Sequence, residues 1–222
     1  VALHAAVRLA YRSFVVPAAN DDRAFTLQID YASGPAPADW PFTFERGILH
    51  FTAAHYTGWL NVHAPHPAQR AYLNVVAPHP FEPVDYFVRA ALSLLIFEMG
   101  GLLFHAAGLV RRRQGYAFFG YSGSGKTTLA RVSTDAVVLN DDLVMLHPAA
   151  HGWTMHATPF SNPTQVTPSA PQSASLTALY RLVQAPRVWV EPLERAVAIA
   201  EIIASSPVIC ADPERALPLL VR

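Results

Sequence analysis

The sequence predicts an α/β protein in which a small β-rich lobe, residues 1–84, precedes an α/β domain, residues 85–222. Three observations predict it. Short runs of β-branched and aromatic residues crowd the first lobe, separated by proline-rich breaks. A long apolar helix pattern then starts near Pro83. Beyond it, strand-like and helix-like segments alternate around a glycine-rich turn, the order expected of a sheet carrying helices. With 52% apolar and 14% charged residues in 222, the chain has ample material for a core.

In the first lobe, residues 24–31 alternate apolar and polar side chains, and residues 42–44, 48–51, 59–62 and 72–76 are further strand-like runs. Ser33-Gly34-Pro35-Ala36-Pro37 and His63-Ala64-Pro65-His66-Pro67 break them. Pro83 and Asp85 introduce a helix with Val88, Leu92, Leu95, Ile96 and Met99 on one stripe and Gly100 as its stop. Residues 102–110 follow as a strand. Arg111-Arg112-Arg113 with Gln114-Gly115 makes a hairpin turn in water, and residues 116–119 are the next strand. Residues 127–132 open a helix, and the β-branched run 137–139 ends at Asn140-Asp141-Asp142. Residues 153–156 read as a strand, 159–171 as a long proline-rich loop, and 173–183 and 193–205 as helices. Pro192 starts the second of these and Pro207 stops it; Asp212-Pro213-Glu214 starts a short last helix.

Formal charge is zero, with 16 basic and 16 acidic residues, so no broad field points to nucleic acid or an anionic membrane. Cys210 is the lone cysteine, which excludes an internal disulfide and suits a reducing cytoplasm. Residues 90–110 are apolar enough to suggest a membrane span, but Glu98, Gly100-Gly101 and His105 interrupt them, and a helix followed by a buried strand explains them better.

The most informative position is Lys126, one lysine among 16 basic residues. It sits in Gly120-Tyr121-Ser122-Gly123-Ser124-Gly125-Lys126-Thr127, which fits the G-x-x-x-x-G-K-[ST] pattern of a phosphate-binding loop, between a short strand and a helix. There the backbone N–H groups turn inward and the lysine meets β/γ-phosphate oxygens as a compact point charge, a role for which arginine's fork is too wide. A glycine turn with a solvated lysine is the competing reading. Residues 120–128, Thr128 included, are therefore candidates to bind a nucleotide, and Lys126 a candidate catalytic group. The Thr127 hydroxyl would ligate Mg²⁺, with a carboxylate on the other side. Asp141 and Asp142, at the end of the next strand, are placed for that: one to serve the metal, with Asp142 joining Thr127, and one to accept a proton from an attacking hydroxyl. A turn pair of aspartates is the bland alternative. His105, flanked by apolar residues, reads locally as a core histidine. His63 with His66, and His147, His151 and His156, lack the spacing of a zinc site. Arg181, Arg187 and Arg195 are candidates to meet a transferring phosphoryl group.

Three segments together carry a resemblance: Phe104-His105-Ala106-Ala107, the run from Phe118 through the loop to Ala130, and Val138-Leu139-Asn140-Asp141-Asp142-Leu143-Val144, with Thr158-Pro159-Phe160 after them. Over residues 85–160 the chain resembles the HPr kinase/phosphorylase and phosphoenolpyruvate carboxykinase superfamily. The resemblance implies a P-loop, carboxykinase-like domain with a mixed sheet, ATP and Mg²⁺ at residues 120–128, and metal or acid/base roles for Asp141 and Asp142. It also gives His105 a place in the active site. The carboxykinase branch implies a second lysine at its metal, and this chain has none, so the kinase branch is the nearer one. The basic stretch that HPr kinases carry after the aspartate pair is proline-rich and almost uncharged here, which is closer to the HPr-kinase-like proteins of biosynthetic gene neighbourhoods. The implied activity is an ATP/Mg-dependent phosphotransferase acting on a Ser or Thr hydroxyl of a peptide or protein, in the cytoplasm, with self-association left open. A small-molecule kinase and a non-catalytic nucleotide-binding module remain the alternatives.

Overall fold

The computed structural model describes residues 2–15, 26–32, 34, 42–45, 48–53, 56–61, 70–76, 79–160, 166 and 170–219. The chain divides into two compact units, Val1–Leu95 and Ile96–Arg222. The breaks at 35–37 and 63–67, with His63 and His66, and most of the 161–169 stretch lie outside the described residues.

The first unit opens with helix α1 (Ala2–Ala10), where the sequence reading expects only β structure. Its run of alanines with leucines has strong helix propensity, which the aromatic-rich segments that follow overshadow. Five strands form one sheet: β1 (Thr26–Ala32), β2 (Phe42–Glu45), β3 (Ile48–Ala53), β4 (Tyr56–Asn61) and β5 (Arg70–Val76). Their order is β1-β5-β4-β3-β2, with β1 parallel to β5 and the other pairs antiparallel. Alternate residues Leu49, Phe51, Leu60, Leu73 and Val75 are buried on one face. Helix α2 (Phe81–Glu98) presents Phe87 to Phe51, ring centroids 5.0 Å apart. Gly58 lets them meet: a Cβ there would stand 2.8 Å from the Tyr72 carbonyl and 3.2 Å from the Phe87 ring.

The buried stripe of α2 is Val84, Phe87, Ala91 and Leu94, with Ile96 and Phe97 beyond, whereas Val88, Leu92 and Leu95 of the expected stripe are half-buried and Met99 is exposed. Almost every side of this helix is apolar, so periodicity alone could not choose the face; the fit of Phe87 to the sheet does. Gly100, at φ 81°, ends the helix as expected, with Gly101 N–H donating to Ile96 O and Gly100 N–H to Phe97 O, a Schellman stop.

The second unit is built on a mixed sheet of β6 (Leu102–Arg111), β7 (Gln114–Phe119), β8 (Val137–Asn140), β9 (Leu143–Ala149), β10 (Gly152–His156) and β11 (Ser173–Arg181). The arginine run makes the β6–β7 turn, with Arg112 and Arg113 at φ 51° and 68°, and Arg111 pairs with Asp135 at 2.5 Å. β7 pairs with β6 on one side and in parallel with β11 on the other; β11 pairs with β10, β10 with β9, and β9 with β6. The ladder β6-β7-β11-β10-β9 therefore closes on itself. β8 continues the line of β9 along the same edge of β6. So tight a ring leaves little room inside. Gly108 and Gly115 supply it, since Met155 from the far side reaches within 3.0 and 3.2 Å of where their Cβ atoms would be. Met155 is fully buried.

β11 corrects the helix expected over 173–183. Ser173-Ala174-Ser175-Leu176 alternates with period two, and its helix-prone alanines and leucines yield to pairing on both edges. β9, which sequence reading did not separate from the aspartate pair, is the other addition. Helices α3 (Lys126–Val132), α4 (Arg195–Ala204) and α5 (Pro213–Leu219) complete the unit. Buried Arg215 fixes α5, pairing with Asp212 at 2.5 Å and Glu98 at 3.1 Å. The protein is thus an α/β fold with a five-stranded sheet in its first unit and a mixed sheet in its second. Among the described residues no helix is long and apolar enough to cross a membrane.

Candidate functional site

The turn from β7 into α3 is shaped by its glycines. Gly120, Gly123 and Gly125 take φ values of 149°, 80° and 104°, which side-chain-bearing residues rarely adopt. Gly120 has a second constraint, because a Cβ there would stand 2.9 Å from Leu182 O and 3.0 Å from Ser124 Oγ. The turn is held from outside by the chain after β11: Leu182 N–H donates to Phe119 O at 2.7 Å, and Gln184 Nε2 donates to Gly123 O at 2.7 Å.

Lys126 is buried at the start of α3, and its ammonium donates to Gly120 O at 2.7 Å and Tyr121 O at 3.2 Å. Burial lowers its pKa from the usual lysine range, and the negative charge of Asp142 pulls it back up. The turn thus wraps a desolvated cation in its own carbonyls.

The two aspartates occupy the irregular step between β8 and β9, organised by Asn140. Its side-chain oxygen accepts from the N–H groups of Asp142 and Leu143, while its Nδ2 donates to Thr158 O, Thr158 Oγ1 and Phe160 O. Thr158 Oγ1 in turn donates to Leu143 O. This fully buried lattice turns Asp141 and Asp142 to different neighbours. Asp141 is buried, with Oδ1 accepting from Val166 N–H at 3.0 Å and Oδ2 lacking any partner. Asp142 Oδ1 stands 3.3 Å from His105 Nε2. His105, on β6, is itself pinned by its backbone N–H, which donates to Ser205 O at 2.7 Å.

A cleft of about 250 Å³ lies at the centre, lined by His105, Ser122, Gly123, Gly125, Lys126, Thr127, Thr128 and Asp141. Residues from three separate stretches of sequence therefore converge on one space. Four of the expected residues face elsewhere. Gly120 and Ser124 form the underside of the turn, where Ser124 Oγ is buried without a partner. Tyr121 is exposed, its ring beneath the Arg181 guanidinium at 5.5 Å, and Asp142 borders the cleft through His105. Arg181 is committed to Glu201 at 2.9 Å, while Arg187 and Arg195 are exposed.

No protein-family model matches this chain, and no curated protein matches it significantly. Local geometry and the chemistry of its residues are what speak for the site.

Sequence reading missed the supports: Asn140, Val166, Gln184 and Glu201. Asn140 carried a signal, being an amide at a strand end directly before two acids, where its side chain can replace backbone partners. Val166 and Gln184 had none, since each reaches the site across a long stretch of chain. Among the described residues no group of three or more His, Cys, Asp or Glu side chains is arranged to hold a metal by itself. His147 and His156 stand diagonally across β9 and β10, and burial with the nearby His147 lowers the pKa of His156.

Proposed function

We propose that the chain is an ATP- and Mg²⁺-dependent phosphotransferase of the HPr kinase-like, carboxykinase-related P-loop class, acting on a serine or threonine hydroxyl of a peptide or protein. One observation carries the reading: the sole lysine, the hydroxyls of Thr127 and Thr128, and the orphaned carboxylate of Asp141 line one cleft. A buried carboxylate oxygen without a donor is costly unless a cation completes it.

The donors fit Mg²⁺. It takes hard oxygen ligands and keeps several sites for water and phosphate, so Thr127 and one carboxylate suffice. Asp141 is the carboxylate in the cleft and the better candidate; Asp142, against His105, is better suited to the proton. When bound, the metal ion would supply neutralisation of phosphate charge. Lys126 would exchange the carbonyls of Gly120 and Tyr121 for phosphate oxygens, a swap of partners for a charge already desolvated. The acceptor oxygen attacks the γ-phosphorus, the bond to the bridging oxygen breaks, ADP leaves, and the acceptor's proton passes to the His105–Asp142 pair.

A small-molecule kinase shares every one of these residues. A binding module without catalysis would need only the glycine turn; the His105–Asp142 contact at 3.3 Å is the observation that favours a catalyst over it.

Lys126→Ala is expected to lower ATP consumption by ~100-fold or more, the scale of losing one charge-stabilising donor. Consumption at the wild-type rate would overturn the reading. Asp142→Asn separates catalyst from binder, with nucleotide affinity kept and turnover lost.

A further inference from the structure

Between β11 and α4 the chain leaves the body of the second unit. Every residue from 183 to 197 is exposed, and residues 182–194 form neither helix nor strand. This arm is not polar. Val188 is 100% exposed, Val190 76% and Trp189 54%, and they are consecutive. Scattered apolar side chains on a surface need no explanation, but three together on an exposed arm mark a contact site.

The sequence of the arm says what covers it. Pro186-Arg187-Val188-Trp189-Val190-Glu191-Pro192 is nearly a palindrome in chemistry, centred on Trp189. Two such segments laid antiparallel about that centre put Val188 opposite Val190, Trp189 opposite Trp189, and Arg187 opposite Glu191 on each side. Opposed pairs in an antiparallel ladder are where charge complementarity and ring contacts act. Arg187, Trp189 and Glu191 fall on one face and the two valines on the other. Pro186 and Pro192, which lack an N–H, end the ladder at both sides. No residue of the arm takes a positive φ, so the backbone can extend without strain.

We propose that residues 187–191 pair with the same residues of a second copy of this chain as a two-stranded antiparallel ribbon, two-fold symmetric about Trp189. The interface is isologous, as closed two-fold dimers require. Its short ladder buries less than the ~1,600 Å² of a standard interface, so association is concentration-dependent. The root of the arm is Gln184, bonded to Gly123 O of the glycine turn, so pairing also orders the segment that supports that turn. The proposal stands apart from the phosphotransferase reading.

Sedimentation of the full chain from low to high micromolar concentration is expected to show a monomer–dimer equilibrium. Arg187→Glu alone, or Glu191→Arg alone, places like charges opposite and should leave monomer. The double substitution R187E/E191R restores opposite charges and should restore the dimer. All these positions are exposed, so folding is not at stake. In a Cys210→Ser background, Trp189→Cys should form an intermolecular disulfide on oxidation, since the central residue meets itself, and Val188→Cys should not. Monomer at every concentration, a dimer indifferent to Arg187→Glu, or failure of the double exchange to restore it would each overturn the pairing.

Discussion

Asn140 illustrates how much a single amide can organise. Its two ends face opposite needs: the oxygen satisfies the N–H groups released where β8 gives way to β9, and the Nδ2 gathers the carbonyls of Thr158 and Phe160. Replacing it by alanine strands these groups in a fully buried place. Asn140→Ala is expected to cost on the order of 3 kcal/mol, since each orphaned group costs ~1–3, and urea unfolding midpoints measure it. ATP consumption should fall further than stability alone requires, because Asp141 and Asp142 lose the turn that divides them. His156 sets a pH dependence. Its native pKa lies below the ordinary 6.5, through burial first and His147 second. Between the two values the unfolded chain binds more protons, so this contribution to stability is present above 6.5 and lost as pH falls through the native value. Removing the imidazole with His156→Gln should flatten the decline of the urea midpoint below pH 6.5; an unchanged slope would show that other groups govern it.

At the level of elements, the ring of strands depends on two glycines more than on any large side chain. A methyl at Gly108 would stand 2.6 Å from Val144 Cγ1 and 3.0 Å from Met155 Sδ. Gly108→Ala should therefore destabilise by ~1–3 kcal/mol, as overpacking does. Adding Val144→Ala should recover part of that loss, giving a double variant more stable than the sum of the singles. Strictly additive urea midpoints would argue against the contact. The strands and helix around the glycine turn were legible because local signals agree there: an apolar run, a glycine pattern and a helix start all point the same way. Elements formed by distant partners were not. Residues 173–181 carry alanines and leucines that suit a helix, and only pairing with β7 and β10 makes them β11. The α2 face was hidden for the opposite reason, an excess of apolar residues on every side. In the site, Lys126 and the two aspartates were visible by their own chemistry, whereas His105 read locally as a core residue and entered only through the resemblance. The neutral groups that aim them, such as the backbone N–H of Val166, leave no trace in composition.

Taken whole, the molecule has little charge with which to attract partners, so shape and local pairing decide what it meets. The arm at 182–194 is the one described segment that places three consecutive large apolar residues, Val188, Trp189 and Val190, in water, and its opposite charges sit symmetrically about the tryptophan. The ring bears on how the chain reaches this state. β6 and β7 adjoin in sequence and zip through a two-residue turn, and β9 and β10 do the same. The last contact needed, β7 beside β11 in parallel, joins segments far apart along the chain. Loop closure of that kind is slow, and until it happens both strands offer open edges to any neighbouring chain. Newly made protein is thus most exposed to mispairing in the interval between finishing β7 and receiving β11. Once the ring has closed, those edges are no longer available.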